Sequence, residues 1–182
     1  EEIISALFGY GSFNEKAVLN SSKALYYFGL GLPAFAMIKV FSTFFFANHD
    51  TKTPFYISLI SVILNIIISV YYFRSIGFII IPIATTISSW FNALALLVFL
   101  YNRNLFHFNE IFFIKFIKIF FASIIMGVLF KYLISIFEYQ LSYDFYFKSL
   151  YLIISVCLSI IFYLLFSLFI KALKYKDINL KY

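Results

Sequence analysis

The sequence has 182 residues, of which 64% are hydrophobic, 24% aromatic and 12% charged, with a net charge of +6 and a mean hydropathy of +0.98. A water-soluble domain carries about twice that share of charge, and disorder requires low hydrophobicity, so both classes are excluded. What remains is an integral membrane protein. The single cysteine, Cys157, sits inside an apolar run, so a disulfide framework, a zinc site and CxxC chemistry have no ligands to build from. The chain opens on Glu1-Glu2 without a basic segment ahead of its first apolar stretch. That argues against a signal peptide at this end and reads as the tail of something longer. The lysines and arginines lie between or beyond apolar runs and not along one soluble face, which points to membrane orientation instead of nucleic acid.

In chain order, residues 1–13 form a short apolar stump ending in Gly9-Tyr10-Gly11, long enough only for the last turns of a helix. Asn14 to Lys23 is polar, and Asn20-Ser21-Ser22 supplies N-cap candidates for the next helix. Span A is expected over about Ala24 to Ala47. Its Gly29, Gly31 and Pro33 loosen the backbone and remove a donor, so a bend is expected there. The break 48–54 offers Asp50 or Thr53 as cap and Pro54 in a first helical turn; Asp50 and Lys52 read as a cap and a surface charge. Span B covers about Phe55 to Phe73, and Arg74-Ser75-Ile76-Gly77 makes a tight connection to span C, about Phe78 to Tyr101. A polar link, Asn102 to Glu110, leads to span D, about Phe113 to Phe137, with Lys115 and Lys118 at its entry. Glu138 to Lys148 is the next link, span E runs from about Ser149 to Leu173, and a lysine-rich tail from Lys174 to Tyr182 closes the chain. The fold class expected is an all-α polytopic bundle of five full spans plus the end of a preceding helix.

Alternate loops carry unequal positive charge. Lys52, Arg103, Lys115, Lys118, Lys171, Lys174, Lys176 and Lys181 fall on one side, and Lys16, Lys23, Arg74, Lys131 and Lys148 on the other. The richer side is expected in the cytoplasm, which places the C-terminus there.

Polar side chains inside the spans follow helical spacing. Ser58, Ser61, Asn65 and Ser69 share one face of span B; Ala84, Ser88 and Asn92 form a ladder in span C beside Thr85, Ser89 and Ala93; Ser155, Ser159, Tyr163 and Ser167 repeat the pattern in span E. Small and hydroxyl residues at this spacing pack membrane helices, or they wall a polar cavity, and both readings stay open. Lys39 is the ionisable residue deepest in a span. An amine there costs at least about 2.5 kcal/mol, and the roughly 13 Å to Asn48 lets it snorkel only in part. It therefore reads as cavity-lining, ion-paired or snorkelling. Catalysis finds no support: His49 and His107 are in loops, and neither a nucleophile-base grouping nor a Gly-rich phosphate loop can be assembled. The chain is not expected to be an enzyme or to hold an organic cofactor.

Four strings, in this order and spacing over the first hundred residues, resemble the MurJ/MviN family of lipid II flippases: Leu7-Phe8-Gly9-Tyr10-Gly11-Ser12-Phe13, Gly29-Leu30-Gly31-Leu32-Pro33-Ala34-Phe35-Ala36 with Lys39-Val40, Asp50-Thr51-Lys52-Thr53-Pro54, and Trp90-Phe91-Asn92-Ala93. The resemblance implies the last third of a fourteen-helix transporter of the MOP superfamily in the bacterial cytoplasmic membrane, with spans A to E as helices ten to fourteen. Residues 1–23 would then be the end of a preceding helix and a loop. Residues 24–102 would be three helices of the C-terminal lobe, and 103–182 two terminal helices forming a lipid-tail groove, with a basic tail. It implies alternating access for moving the peptidoglycan precursor lipid II in cell-wall biosynthesis. The partners would be that lipid-linked glycan, membrane lipid and the N-terminal helices, without nucleic acid. Lys39, Ser61, Asn65, Ser88 and Asn92 are the candidates for the cavity or substrate path. Asn65 and Thr85, with the Ile81 carbonyl, stand where sodium-coupled members hold a cation, while Ser69 stands where those members carry a carboxylate. A different MOP exporter of polysaccharide-linked lipid, or a non-transporting membrane scaffold, remains the alternative.

Overall fold

The computed structural model describes residues 1–105, 110–143 and 145–172, with Glu110 and Ile111 as backbone only. His107, Leu173 and the tail lysines Lys174, Lys176 and Lys181 lie outside the described residues. The elements are α1 (Glu2–Phe8), α2 (Glu15–Ala47), α3 (Lys52–Ile76), a single 3-10 turn (Gly77–Ile79), α4 (Ile80–Asn102), α5 (Glu110–Ile136) and α6 (Lys148–Phe169), and no strand occurs among the described residues.

Four runs are long and apolar enough to cross a bilayer: Glu15–Ala47, Lys52–Asn102, Phe112–Ile136 and Lys148–Phe169. The second has 51 residues, about 76 Å as a straight helix against a hydrocarbon core of about 30 Å, so it cannot cross once as one rod. It folds back at Gly77, whose φ of 75° and ψ of −154° belong to a region open to glycine almost alone. Span B and span C are thus the two arms of a helical hairpin, α3 and α4.

The expected start of span A moves by about nine residues. Asn14 caps α2 by accepting from the Ala17 N–H through Oδ1 at 2.9 Å, and Asn20-Ser21-Ser22 lie inside the helix. Glu15, Lys16, Ala17 and Leu19 are good helix formers, and the Ser22 hydroxyl bonds back to the Leu19 carbonyl, so a polar run here need not be a loop. The helix continues through Pro33. At the other end of the chain α6 stops at Phe169, a turn before the expected end of span E.

Three helices end alike. His49, Asn104 and Lys171 take left-handed φ values of 57°, 54° and 54°. The next residue's N–H then returns five positions to bond a carbonyl of the last turn: Asp50 to Phe45, Leu105 to Leu100, Ala172 to Ser167. This closure satisfies carbonyls that the helix itself leaves unpaired.

The chain divides into two compact units, one of Glu1–Val18 with the described residues of Phe108–Tyr182, the other of the described residues of Leu19–His107. In the first, Ala6, Leu141 and Leu152 form a buried core flanked by Phe130, Ile134, Phe137 and Tyr151. In the second, the core is Phe41, Phe45, Ile57, Leu96 and Leu100. Elsewhere large apolar side chains face outward on every long helix, Val70 at 72% and Phe169 at 83% exposed among them. A water-soluble monomer does not tolerate apolar surface on this scale, whereas hydrocarbon solvates it.

Candidate functional site: a polar cavity within the Leu19–His107 unit

The hairpin arms bring the two polar stripes face to face. Asn65 pairs with Thr85 and Ser88, and Ser58 with Asn92, so residue numbers fall on one arm as they rise on the other, as an antiparallel hairpin centred on the Gly77 turn requires. Together with Phe35 and Ile38 of α2 they line a cavity of about 380 Å³. Ser61, Asn65, Ser88 and Asn92 all line it, as do Ser58, Thr85 and Ser89. Lys39 does not: it is exposed on α2 and engages no hydrogen bond or ion pair among the described residues.

The hydrogen bonds fix which way each group points. Thr85 Oγ1 donates to the Ile81 carbonyl at 2.8 Å and Ser88 Oγ to the Thr85 carbonyl at 3.1 Å, so both hydroxyl oxygens are left as acceptors. Asn65 Nδ2 donates to them at 3.1 and 3.3 Å, and Asn65 Oδ1 accepts from Ser69 Oγ at 3.2 Å. The network closes on itself. In this arrangement the Asn65 amide N–H points at the Thr85 and Ser88 hydroxyl oxygens. No carboxylate contributes, and no group of three or more His, Cys, Asp or Glu that could hold a metal occurs among the described residues.

Asn92 differs. It is 8% exposed, donates through Nδ2 to Ser58 Oγ at 3.3 Å, and leaves Oδ1 buried without a partner. That oxygen is closed to a water-sized probe, so it is a buried acceptor left unmet between the helices. The α6 stripe has the opposite character: Ser155 and Ser159 are buried and return their hydroxyls to Tyr151 and Ser155 of their own helix, which is the packing arrangement.

Two supports hold the cavity's walls, and both are built from the strings singled out in the sequence. Pro33 has no N–H for the Gly29 carbonyl, and α4 sends donors into that stretch of α2: Thr86 Oγ1 to the Tyr27 carbonyl at 2.7 Å and Trp90 Nε1 to the Leu30 carbonyl at 3.1 Å. Gly31 permits the approach, since a Cβ there would lie 3.1 Å from Thr86 Oγ1. At the hairpin's open end Asp50 caps α3, its Oδ1 accepting from the Lys52 and Thr53 N–H groups at 3.1 and 3.0 Å. Thr53 Oγ1 donates to Asp50 Oδ2 at 2.6 Å and accepts from Arg103 Nη2 at 3.0 Å, while Arg103 Nη1 completes an ion pair with Asp50 Oδ2. The Thr53 hydroxyl, the Thr53 amide and the Arg103 guanidinium together hold the Asp50 carboxyl well below the usual carboxylate range. The cap was legible from Asp50 ahead of Thr53-Pro54; the Arg103 partner, 53 residues on, was not.

Sequence reasoning also missed Lys148, whose place in the chain suggests no more than a loop charge. In the other unit its side chain is 1% exposed, with Nζ donating to the carbonyls of Gly9 at 2.7 Å and Tyr143 at 2.6 Å and lying 4.4 and 4.6 Å from the ring centroids of Tyr10 and Tyr143. Two carbonyls and two π faces replace the water that a buried ammonium loses. Nearby, Tyr10 OH and Ser149 Oγ lie 2.6 Å apart and both bond the Ala6 carbonyl, so the Gly9-Tyr10 turn is tied to the start of α6.

The family model described as lipid II flippase MurJ matches residues 1–152. Among curated proteins, the chain is 37% identical to the probable lipid II flippase MurJ of Rickettsia prowazekii over 90 residues, covering 50% of this chain and 18% of that protein. It is 37% identical to that of Rhizobium tropici over 103 residues, covering 57% and 19%, and 28% identical to that of Haemophilus influenzae over 165 residues, covering 90% and 32%. The chain thus spans between about a fifth and a third of the length of these relatives.

Proposed function

This chain belongs to the MurJ lipid II flippase family, and on that premise we propose that it supplies the C-terminal helices of a transporter moving lipid II across the bacterial cytoplasmic membrane by alternating access. The observation that carries the reading is the family match over residues 1–152 falling on a helical hairpin that encloses a polar cavity. Such a protein acts by movement: it exposes a binding region to one side and then the other and breaks no bond. The charge distribution of the loops supports a cytoplasmic C-terminus.

Within that scheme Ser61, Asn65, Ser88 and Asn92 form a polar interior to the lobe. Lys39, exposed on α2, is assigned to a surface that meets other parts of the transporter. No transport step is routed through sodium. The chain's partners in this reading are the lipid-linked precursor, bilayer lipid and the N-terminal helices of the same transporter. By itself the 182-residue segment is expected to move no lipid, because it spans only between about a fifth and a third of the length of its relatives.

Complementation decides the matter. Full-length protein carrying this segment, expressed in cells depleted of their own flippase, is expected to restore lipid II translocation; normal expression without restoration refutes the assignment. A related exporter of polysaccharide-linked lipid would fail that assay yet still admit aqueous thiol reagents to cysteines placed at Ser61, Asn65 and Ser88. A scaffold that only packs helices would leave all three closed.

A further inference from the structure

Pro33 interrupts the hydrogen-bond ladder inside α2. It has no N–H to give the Gly29 carbonyl, and its ring crowds that carbonyl. Sharp bends in helices arise at such places. A Cβ at Gly29 would meet nothing within 4 Å, so no neighbour props the backbone there. The two sides of the gap are fastened in different ways. After it, Phe41 and Phe45 are buried in one core with Ile57, Leu96 and Leu100. At and before it, among the described residues, the hydrogen bonds from other helices of this unit are two, both from α4: Thr86 Oγ1 to the Tyr27 carbonyl and Trp90 Nε1 to the Leu30 carbonyl. Thr86 departs from its neighbours in this. Thr85, Ser88 and Ser89 return their hydroxyl protons to carbonyls of α4 itself, the ordinary habit of a hydroxyl in a helix, whereas Thr86 spends its proton on another helix. The two acceptors lie one turn apart on α2, as the two donors do on α4.

We infer that α2 is jointed between Gly29 and Pro33, and that Thr86 and Trp90 are a latch holding the joint in the conformation seen here. Donors from a neighbouring helix are one way a membrane helix tolerates a proline, and these two arrive on either side of the weakened carbonyl. When the latch opens, the arm from Leu19 to Gly29 swings on the joint while the part after Pro33 stays on its core. Phe35 and Ile38 wall the polar cavity from that fixed part, so the moving arm borders the cavity where its α2 wall begins. Thr86 and Trp90 are positioning residues, acting through the α2 backbone. The joint belongs to the helix and stands independently of the lipid II reading.

The test places nitroxide labels on Lys23→Cys and Phe46→Cys in the full-length protein carrying this segment, otherwise free of cysteine, and measures their separation in lipid nanodiscs by pulsed electron paramagnetic resonance. An unbroken helix holds these positions about 34 Å apart, and a bend brings them closer. The parent is expected to show a main long distance with a minor shorter one. The Thr86→Val/Trp90→Phe double variant, which keeps the bulk and loses both donors, is expected to raise the short population about tenfold. Thr86→Ser keeps the hydroxyl and is expected to leave the parent distribution as it is. Pro33→Ala returns an N–H to the Gly29 carbonyl, so it is expected to remove the short population from the parent and from the double variant alike, a rescue that side chains which merely packed against α2 would not show. The comparison of the parent with Pro33→Ala leaves both donors in place, so it decides even where the double variant fails to fold. An unchanged distribution in the double variant, a short population that survives Pro33→Ala, or a parent indistinguishable from Pro33→Ala overturns the assignment.

Discussion

Lys148 and Asp50 show how differently two charged side chains can be held. Replacing Lys148 with methionine keeps the volume but strands the Gly9 and Tyr143 carbonyls beneath the surface. A loss of about 2–4 kcal/mol is expected by denaturant titration in detergent, with faster proteolysis between Tyr10 and Phe13. Asp50 has its carboxyl pKa depressed in the folded state, first by the Thr53 hydroxyl. Its stabilising contribution is therefore complete above the ordinary carboxylate value of about 4 and is lost as pH falls below that toward the depressed value. The midpoint of Asp50→Ala should lie a few degrees below the parent's from about pH 5 to 8, and the gap should close in stronger acid, as melting curves across pH will show. Of these two, only the Asp50 cap could be read from neighbours in sequence. The burial of Lys148 depends on Gly9 and Tyr10, about 140 positions away, and no local pattern announces it.

Among the elements, the α3–α4 hairpin is the most informative. Helical spacing alone put Ser58, Ser61, Asn65 and Ser69 on one face and Ala84, Ser88 and Asn92 on another, and those faces do meet. The register between them was not legible, because it is set by a single backbone conformation at Gly77. Gly77→Ala is expected to cost about 1–3 kcal/mol and to open cysteines at Ser61 and Ser88 to water-borne thiol reagents. Gly31→Val should have a comparable effect through a different cause, since the added methyls collide with Thr86. Because the Asn65–Thr85 network is already closed, exchanging sodium for potassium should leave the thermal midpoint unchanged; a sodium-specific rise of several degrees would show that the network opens for a cation. The start of α2 was misplaced for an instructive reason. Asn20-Ser21-Ser22 has the residue types of a cap, but a cap is defined by which N–H it accepts, and Asn14 takes that role.

For the molecule as a whole, composition settled the solvent and the fold class, since outward-facing Val, Ile, Leu and Phe have no other medium to dissolve in. Purified protein should stay monodisperse only with detergent or lipid, and its removal should bring aggregation within one size-exclusion run. The candidate site was legible where stripes of polar residues could be aligned. It was illegible where a charge closes on backbone carbonyls of a distant turn. That closure has a practical outcome for anyone mapping this protein with acylating reagents. A membrane-impermeant succinimidyl ester applied to intact vesicles should modify Lys16 and Lys23, which share a side with Lys148 by the alternation of the loops, and pass over Lys148 until the fold is broken. Silence at that position would record a sealed amine, and taken alone it would be misread as evidence that the segment faces the other compartment.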